Sequence, residues 1–128
     1  LQDRISFVLQ PPDMYPAVGQ GAIGIECRSD DEAVQEILQQ ITDQDVNRCT
    51  SAERALLREL RAGCHAPLGG LTQLADGRLQ LTGVLLSSDG TERLEATSAG
   101  RPESAEEIGI AVARQLLQAG GQKLVDAS

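Results

Sequence analysis

The apolar spacing of this chain changes from helical to alternating at Gly69-Gly70, and that change limits what it can build. Before it, apolar residues recur at helical intervals. After it, they alternate as in a half-buried strand. Leu71, Gln73 and Ala75 alternate with Thr72 and Leu74. Leu79, Leu81, Gly83 and Leu85 fall on one face of a second strand. Asp76-Gly77 between them is a two-residue hairpin signal. Ser88-Asp89-Gly90 turns the chain again, and residues Arg93 to Ala99 read as a third, more polar edge strand.

The helical patterns flank this block. Ser29 and Glu32 fit a capping box, and Val34, Ile37, Leu38 and Ile41 share one face up to Thr42-Asp43. A second helix runs from Asp45 or Thr50 to Ala62. Thr50 and Glu53 fit a capping box, Ala52, Leu56, Leu57 and Leu60 form its buried face, and Gly63 is its expected C-cap. A third follows Pro102, with Ser104/Glu107 as capping box and Ile108, Ala111, Val112 and Leu116 as stripe. Gly120-Gly121 stops it, and Lys123 to Val125 form a short tail. The order α-α-β-β-β-α implies an α+β fold: a three-stranded antiparallel sheet covered on one face by three helices. The other face would meet solvent or a neighbouring domain.

The N-terminal stretch is different. Leu1, Ile5, Val8 and Leu9 are spaced as a short amphipathic helix, ended by Pro11 and Pro12. Residues 10–16 read as a linker. Then comes a literal Gly-x-Gly-x-x-Gly, from Gly19 to Gly24. A dinucleotide site needs a strand before such glycines and a helix after them, to seat pyrophosphate on the helix N-terminus. Here a proline-rich linker precedes, and Ala22, Ile23, Ile25 and Cys27 continue like a strand. The glycines fit a close backbone approach better than a nucleotide. The chain opens on Leu1 as if on the tail of an element, which suggests a fragment of something longer. Residues 1–28 then read as a remnant of preceding domains, and residues 29–128 as the domain proper.

Composition narrows the function. The 128 residues carry no Trp, one Tyr and one Phe, so the core is aliphatic and stacking on bases is not on offer. With 19 acidic and 11 basic residues the net charge is -8, which makes nucleic acid and anionic membranes poor partners. No apolar run approaches the ~18 residues of a membrane span. Three cysteines (27, 49 and 64) form no Cys-x-x-Cys pair, and His65 is the sole histidine, so neither a disulfide framework nor a structural zinc site fits. The pattern suits free thiols in the cytosol.

The residue that carries chemistry is Cys64, in the helix-to-strand stretch Arg61-Ala62-Gly63-Cys64-His65-Ala66-Pro67-Leu68-Gly69. His65 is its sequence neighbour, and no acid relay or oxyanion donor set accompanies it. A helix C-terminus disfavours a thiolate, although Arg58 and Arg61 offset this. Such a thiol suits permanent attachment better than turnover. The alternative is a thiol that packs under the loop, in a non-catalytic ligand-binding or interaction module.

Glu53-Arg54-Ala55-Leu56, Leu60, Gly63-Cys64 and Pro67-Leu68-Gly69 together resemble the cofactor-attachment signature of the porphobilinogen deaminase (hydroxymethylbilane synthase) family. Residues 16–28, Pro-Ala-Val-Gly-Gln-Gly-Ala-Ile-Gly-Ile-Glu-Cys-Arg, resemble a second long segment of it. The chain departs from the usual pattern at Ala62, where the family has glycine, and at Ala66, where it has a β-branched residue. The resemblance implies an enzyme that condenses four porphobilinogen units, with loss of ammonia, onto a dipyrromethane primer, giving hydroxymethylbilane for tetrapyrrole (heme) synthesis. It implies that Cys64 holds the dipyrromethane as a thioether, and that Gln20 and Gly21 contact the pyrrole chain. It also implies that the catalytic groups lie in another part of a monomeric, cytoplasmic whole enzyme. On this reading the fragment alone is inactive.

Overall fold

The sheet is assembled by local signals. The computed structural model describes residues 2–63 and 66–127. Strands β1 (Leu68–Ala75), β2 (Arg78–Leu86) and β3 (Arg93–Gly100) form one antiparallel sheet in the order β1-β2-β3. Asp76 and Gly77 join β1 to β2 with φ of 51° and 70°, as a type I′ hairpin requires. The Ser87–Thr91 turn joins β2 to β3. There Asp89 accepts hydrogen bonds from the Ser87 hydroxyl and from the Thr91 N–H and hydroxyl. These bonds, the Ser87 one foremost, hold the Asp89 carboxyl down at about 2.

Helices α2 (Gln44–Glu59) and α3 (Ala105–Gln118) cover one sheet face. Leu79, Leu81 and Leu85 of β2 point at them, and Leu56, Leu60, Ile108, Val112 and Leu116 complete a wholly aliphatic core. Each such side chain contributes about 1.5–3 kcal/mol on burial. The helices touch at Gly109, where a Cβ would come within 2.1 Å of the Ala52 carbonyl oxygen. The α-α-β-β-β-α order therefore holds, and a short α4 (Gln122–Asp126) follows, with Leu124 buried.

Several local expectations are corrected. Helix α1 (Glu32–Ile41) starts one turn into the expected capping box, because Asp31 and not Ser29 accepts from the Val34 N–H. It buries none of its residues, so the cover comes from α2 and α3. Asp43 caps α2 through the Asp45 and Val46 N–H groups. Thr50 thus lies inside α2, and its hydroxyl turns back on Val46 and Asn47 carbonyls. Ser104 precedes α3 without a side-chain capping bond. The C-cap of α2 is not Gly63. Ala62 N–H bonds to the Leu57 carbonyl and Arg61 N–H to the Arg58 carbonyl, a Schellman closure with Arg61 in the left-handed region at φ 51°. The closure sets Leu57 and Ala62 against the core, which offsets a left-handed penalty of about 1 kcal/mol.

The expected helix over residues 1–9 is only a 3-10 turn at Gln2–Arg4, and Ile5, Phe7, Val8 and Leu9 are exposed. With no apolar surface to cover, so short a segment lacks the packing that stabilises helices. The expected strand over Ala22–Cys27 is likewise not formed. Residues 12–19 do pack, across the outer sheet face. Arg93 of β3 donates to the Pro12 carbonyl at 3.1 Å and lies over the Tyr15 ring at 5.5 Å. Tyr15 passes so close to Gly69 that a Cβ there would sit 2.6 Å from its own. The segment then pairs with the β1 edge, Ala17 against Gly69, with Gly70 N–H bonded to the Pro16 carbonyl.

Candidate functional site

The site is organised by a carboxylate on a buried helix stripe. Cys49, Glu53, Leu56 and Leu60 lie on one side of α2, facing the core. Glu53 is 9% exposed and is the one buried charged residue among those described. Its carboxylate accepts from the Gly19 N–H at 2.7 Å and from the Thr72 hydroxyl of β1. One side chain thus ties the glycine-rich turn to the helix and to the strand that flank the 61–69 stretch. Burial of a carboxylate is tolerated only with partners of this kind.

The turn is shaped by its glycines. Gly19 and Gly21 have φ of 72° and 86°, conformations that side chains rarely adopt. Gln20 N–H bonds to the Ala17 carbonyl, and the Gln20 side-chain oxygen accepts from the Ala17 N–H at 2.9 Å. Gln20 therefore braces its own turn. Gly21 lines a cleft of about 710 Å³ between residues 19–25 and the facing sides of α1 and α2. No helix starts at these glycines; the next begins at Glu32. The negative group at the Gly19 amide is Glu53, so the nucleotide reading has no seat here.

A second groove, of about 430 Å³, lies at the end of α2. Arg54, Leu57, Arg58, Arg61 and Ala62 line it. Arg54 belongs to both the groove and the cleft. Among the described residues, only Arg58 of the three arginines has an ion-pair partner, Glu106 at 3.3 Å. The groove is a local concentration of positive charge on an acidic chain. Next to Ala62 in the 61–69 stretch, the Gly63 carbonyl accepts from the Ala66 N–H at 3.1 Å. Cys64 and His65, on which the attachment reading falls, lie outside the described residues. Cys49 is half-buried one turn before Glu53. Burial pushes its thiol pKa up, with nearby carboxylates adding to the effect.

In the sequence Glu53 stood out as a capping-box partner for Thr50 and as the first residue of the Glu53–Leu56 segment that carries the resemblance, not as a buried tie. The better signal was its position: a carboxylate on the apolar stripe of an amphipathic helix needs a buried partner. The structure brings Gly19, Gly21 and Glu53 together with the arginine groove through α2.

These features define an α+β domain that mounts a glycine-rich turn and an arginine groove on one helix. Residues 47–118 match the family model described as porphobilinogen deaminase, C-terminal domain. Residues 1–36 match the one described as porphobilinogen deaminase, dipyromethane cofactor binding domain. The porphobilinogen deaminase of Syntrophobacter fumaroxidans is 45% identical over 125 residues, covering 98% of this chain and 40% of the relative. That of Yarrowia lipolytica is 44% identical over 130 residues, covering 99% and 38%. That of Staphylococcus carnosus is 40% identical over 126 residues, covering 98% and 40%. The chain belongs to the porphobilinogen deaminase family. It spans about two-fifths of the length of the curated relatives it matches.

Proposed function

We propose that this chain is the cofactor-attachment part of a hydroxymethylbilane synthase, with Cys64 as the tether for dipyrromethane. In this reading the chain divides at residue 28. Residues 1–28 belong with the preceding domains, and residues 29–128 form the attachment domain. The substrate is porphobilinogen, a pyrrole bearing carboxylate side chains, and the product is hydroxymethylbilane. The whole enzyme works as a cytoplasmic monomer without nucleic acid or membrane. The described residues contain no helix long and apolar enough to cross a membrane. The family match does not favour the alternative of an interaction module with a structural thiol.

The observation that carries the reading is the arginine groove opening beside Gly63. Arg54, Arg58 and Arg61 offer cations to carboxylates, and Leu57 and Ala62 offer apolar surface to pyrrole rings. These residues fit the dipyrromethane group. When bound, that group supplies the pyrrole terminus to which porphobilinogen units are joined with loss of ammonia. The chain's own residues hold and orient. Cys64 fixes one end, the arginines neutralise side-chain carboxylates, and Glu53 keeps the Gly19–Gly21 turn facing the cleft. Gln20 and Gly21 line the path of the growing chain. A tether needs no strongly activated thiol, in keeping with a place beyond a helix C-terminus.

The net charge of -8 makes the isolated chain a poor host for a polyanionic product. It is expected to show no turnover of porphobilinogen. Intact-mass measurement of the chain purified with the remainder of a relative tests the tether. A dipyrromethane adduct is expected, and it should vanish in Cys64→Ser. An adduct that persists in that variant, or turnover by the chain alone, would overturn the reading.

A further inference from the structure

The two turns that join the sheet strands both carry the dipeptide Asp-Gly, at Asp76-Gly77 and at Asp89-Gly90. They share a chemistry and differ in structure. Glycine places no Cβ beside its own nitrogen, so that nitrogen can reach the carboxyl of the preceding side chain. At Asp89-Gly90 both reacting groups are occupied. The carboxylate accepts from the Ser87 hydroxyl at 2.6 Å and from the Thr91 N–H and hydroxyl at 3.1 and 2.8 Å. The Gly90 N–H is bonded to the Ser87 carbonyl at 2.9 Å. At Asp76-Gly77 both are free. Among the described residues, nothing hydrogen-bonds or ion-pairs with the Asp76 carboxylate, and the Gly77 N–H has no acceptor. Both residues are exposed, and a Cβ at Gly77 would meet no atom within 4 Å, so the turn has room to change shape.

We propose that Asp76-Gly77 is a modification site at which the chain converts spontaneously to an isoaspartyl linkage, and that the Ser87–Thr91 turn shields the second Asp-Gly from the same reaction. The step needs only water. The Gly77 nitrogen adds to Cγ of the protonated Asp76 carboxyl. A C–N bond forms, the C–OH bond breaks, and the hydroxyl leaves with the amide proton as water, closing a five-membered succinimide. Water then reopens the ring. Attack at Cγ restores aspartate, whereas attack at the main-chain carbonyl leaves the main chain running through Cγ. One water is lost and one regained, nothing is oxidised, and the mass is unchanged. The new link adds one main-chain carbon to a two-residue turn whose φ values of 51° and 70° set the Ala75–Arg78 pairing. The hydrogen bonds at Asp89 also hold its carboxyl at about 2, which keeps it in the unreactive ionised form.

The test is incubation of the 128-residue chain for weeks at mildly acidic pH, well below its unfolding temperature, followed by peptide mapping with electron-based fragmentation. The isoaspartyl linkage is expected to accumulate at position 76. At position 89 it should form at least about tenfold more slowly, because the hydrogen bonds there must break first. In denaturant the two rates should converge. Ser87→Ala should speed the reaction at position 89 and leave the rate at 76 unchanged. No isoaspartyl at position 76 in the folded chain overturns the proposal, as does equal accumulation at the two positions. A difference that persists in denaturant also overturns it, since local sequence and not the fold would then set the rates. An unchanged rate at position 89 in Ser87→Ala overturns the shielding.

Discussion

Helices α1 and α3 are written in the same language and meet different fates. Both carry an aliphatic stripe at helical spacing and acidic residues in the first turn. α3 buries Ala105, Ile108, Gly109, Val112, Ala113 and Leu116 against α2 and the sheet; α1 buries nothing. The difference is not in the helices but in what faces them. α3 follows the sheet through one short connection and has the face of β2 to cover. α1 has the unpaired segment 23–27 across a cleft. An amphipathic pattern specifies a helix with an apolar side, and the partner must come from elsewhere. In this chain the elements from α2 onward supply their own partners, whereas the stretch from Ile23 through α1 presents an unfilled face.

Substitutions can break this contrast. The largest effect is expected in the body. Leu56→Ala removes a fully buried side chain at the α2–sheet contact and should cost about 2–5 kcal/mol in denaturant unfolding. Glu53→Ala comes next. It strips the Gly19 N–H and the Thr72 hydroxyl of their shared acceptor, a loss of about 1–3 kcal/mol, and should expose the Gly19 amide to hydrogen exchange. Glu53→Gln keeps an acceptor and should retain more of that protection.

The Ser87–Thr91 turn should respond to acid in a defined window. Its Asp89 carboxyl is held at about 2 against an ordinary 3.8, a lowered folded-state value. Its stabilising contribution is therefore complete above the ordinary value and lost as pH falls through the folded one. Amide shifts of Ser87 and Thr91 should stay constant down to about pH 4 and move between there and about pH 2. Ile37→Ala should have the smallest effect, within about 0.5 kcal/mol, because that side chain touches no core. A loss comparable to that of Leu56→Ala would show that α1 does pack in solution, and the contrast would fail.

Much of the body was legible in the sequence. The Asp76-Gly77 hairpin, the alternation through Leu79–Leu85 and the stripe of α3 are patterns read within a few residues, and each is where the spacing put it. The errors were of two kinds. Caps shifted, because Asp31 and Asp43, and not Ser29 and Thr50, accept from the first free amides of their helices. The segments over 1–9 and 22–27 had the right pattern and no surface to satisfy it. For the site, the Cys64 stretch and the glycine turn were marked by residue type, while their linkage through Glu53 was not.

The sequence by itself determined the element order from the second helix onward and the hairpin register, because periodicity and turn propensity are local properties. Only the tertiary structure decided that Arg61, not Gly63, takes the left-handed position at the end of α2, since the packing of Leu57 and Ala62 selects that closure. It alone decided that Glu53 holds Gly19, a partner 34 residues away. A buried carboxylate must be satisfied, but which amide satisfies it depends on how the chain crosses the sheet, and no local pattern contains that path.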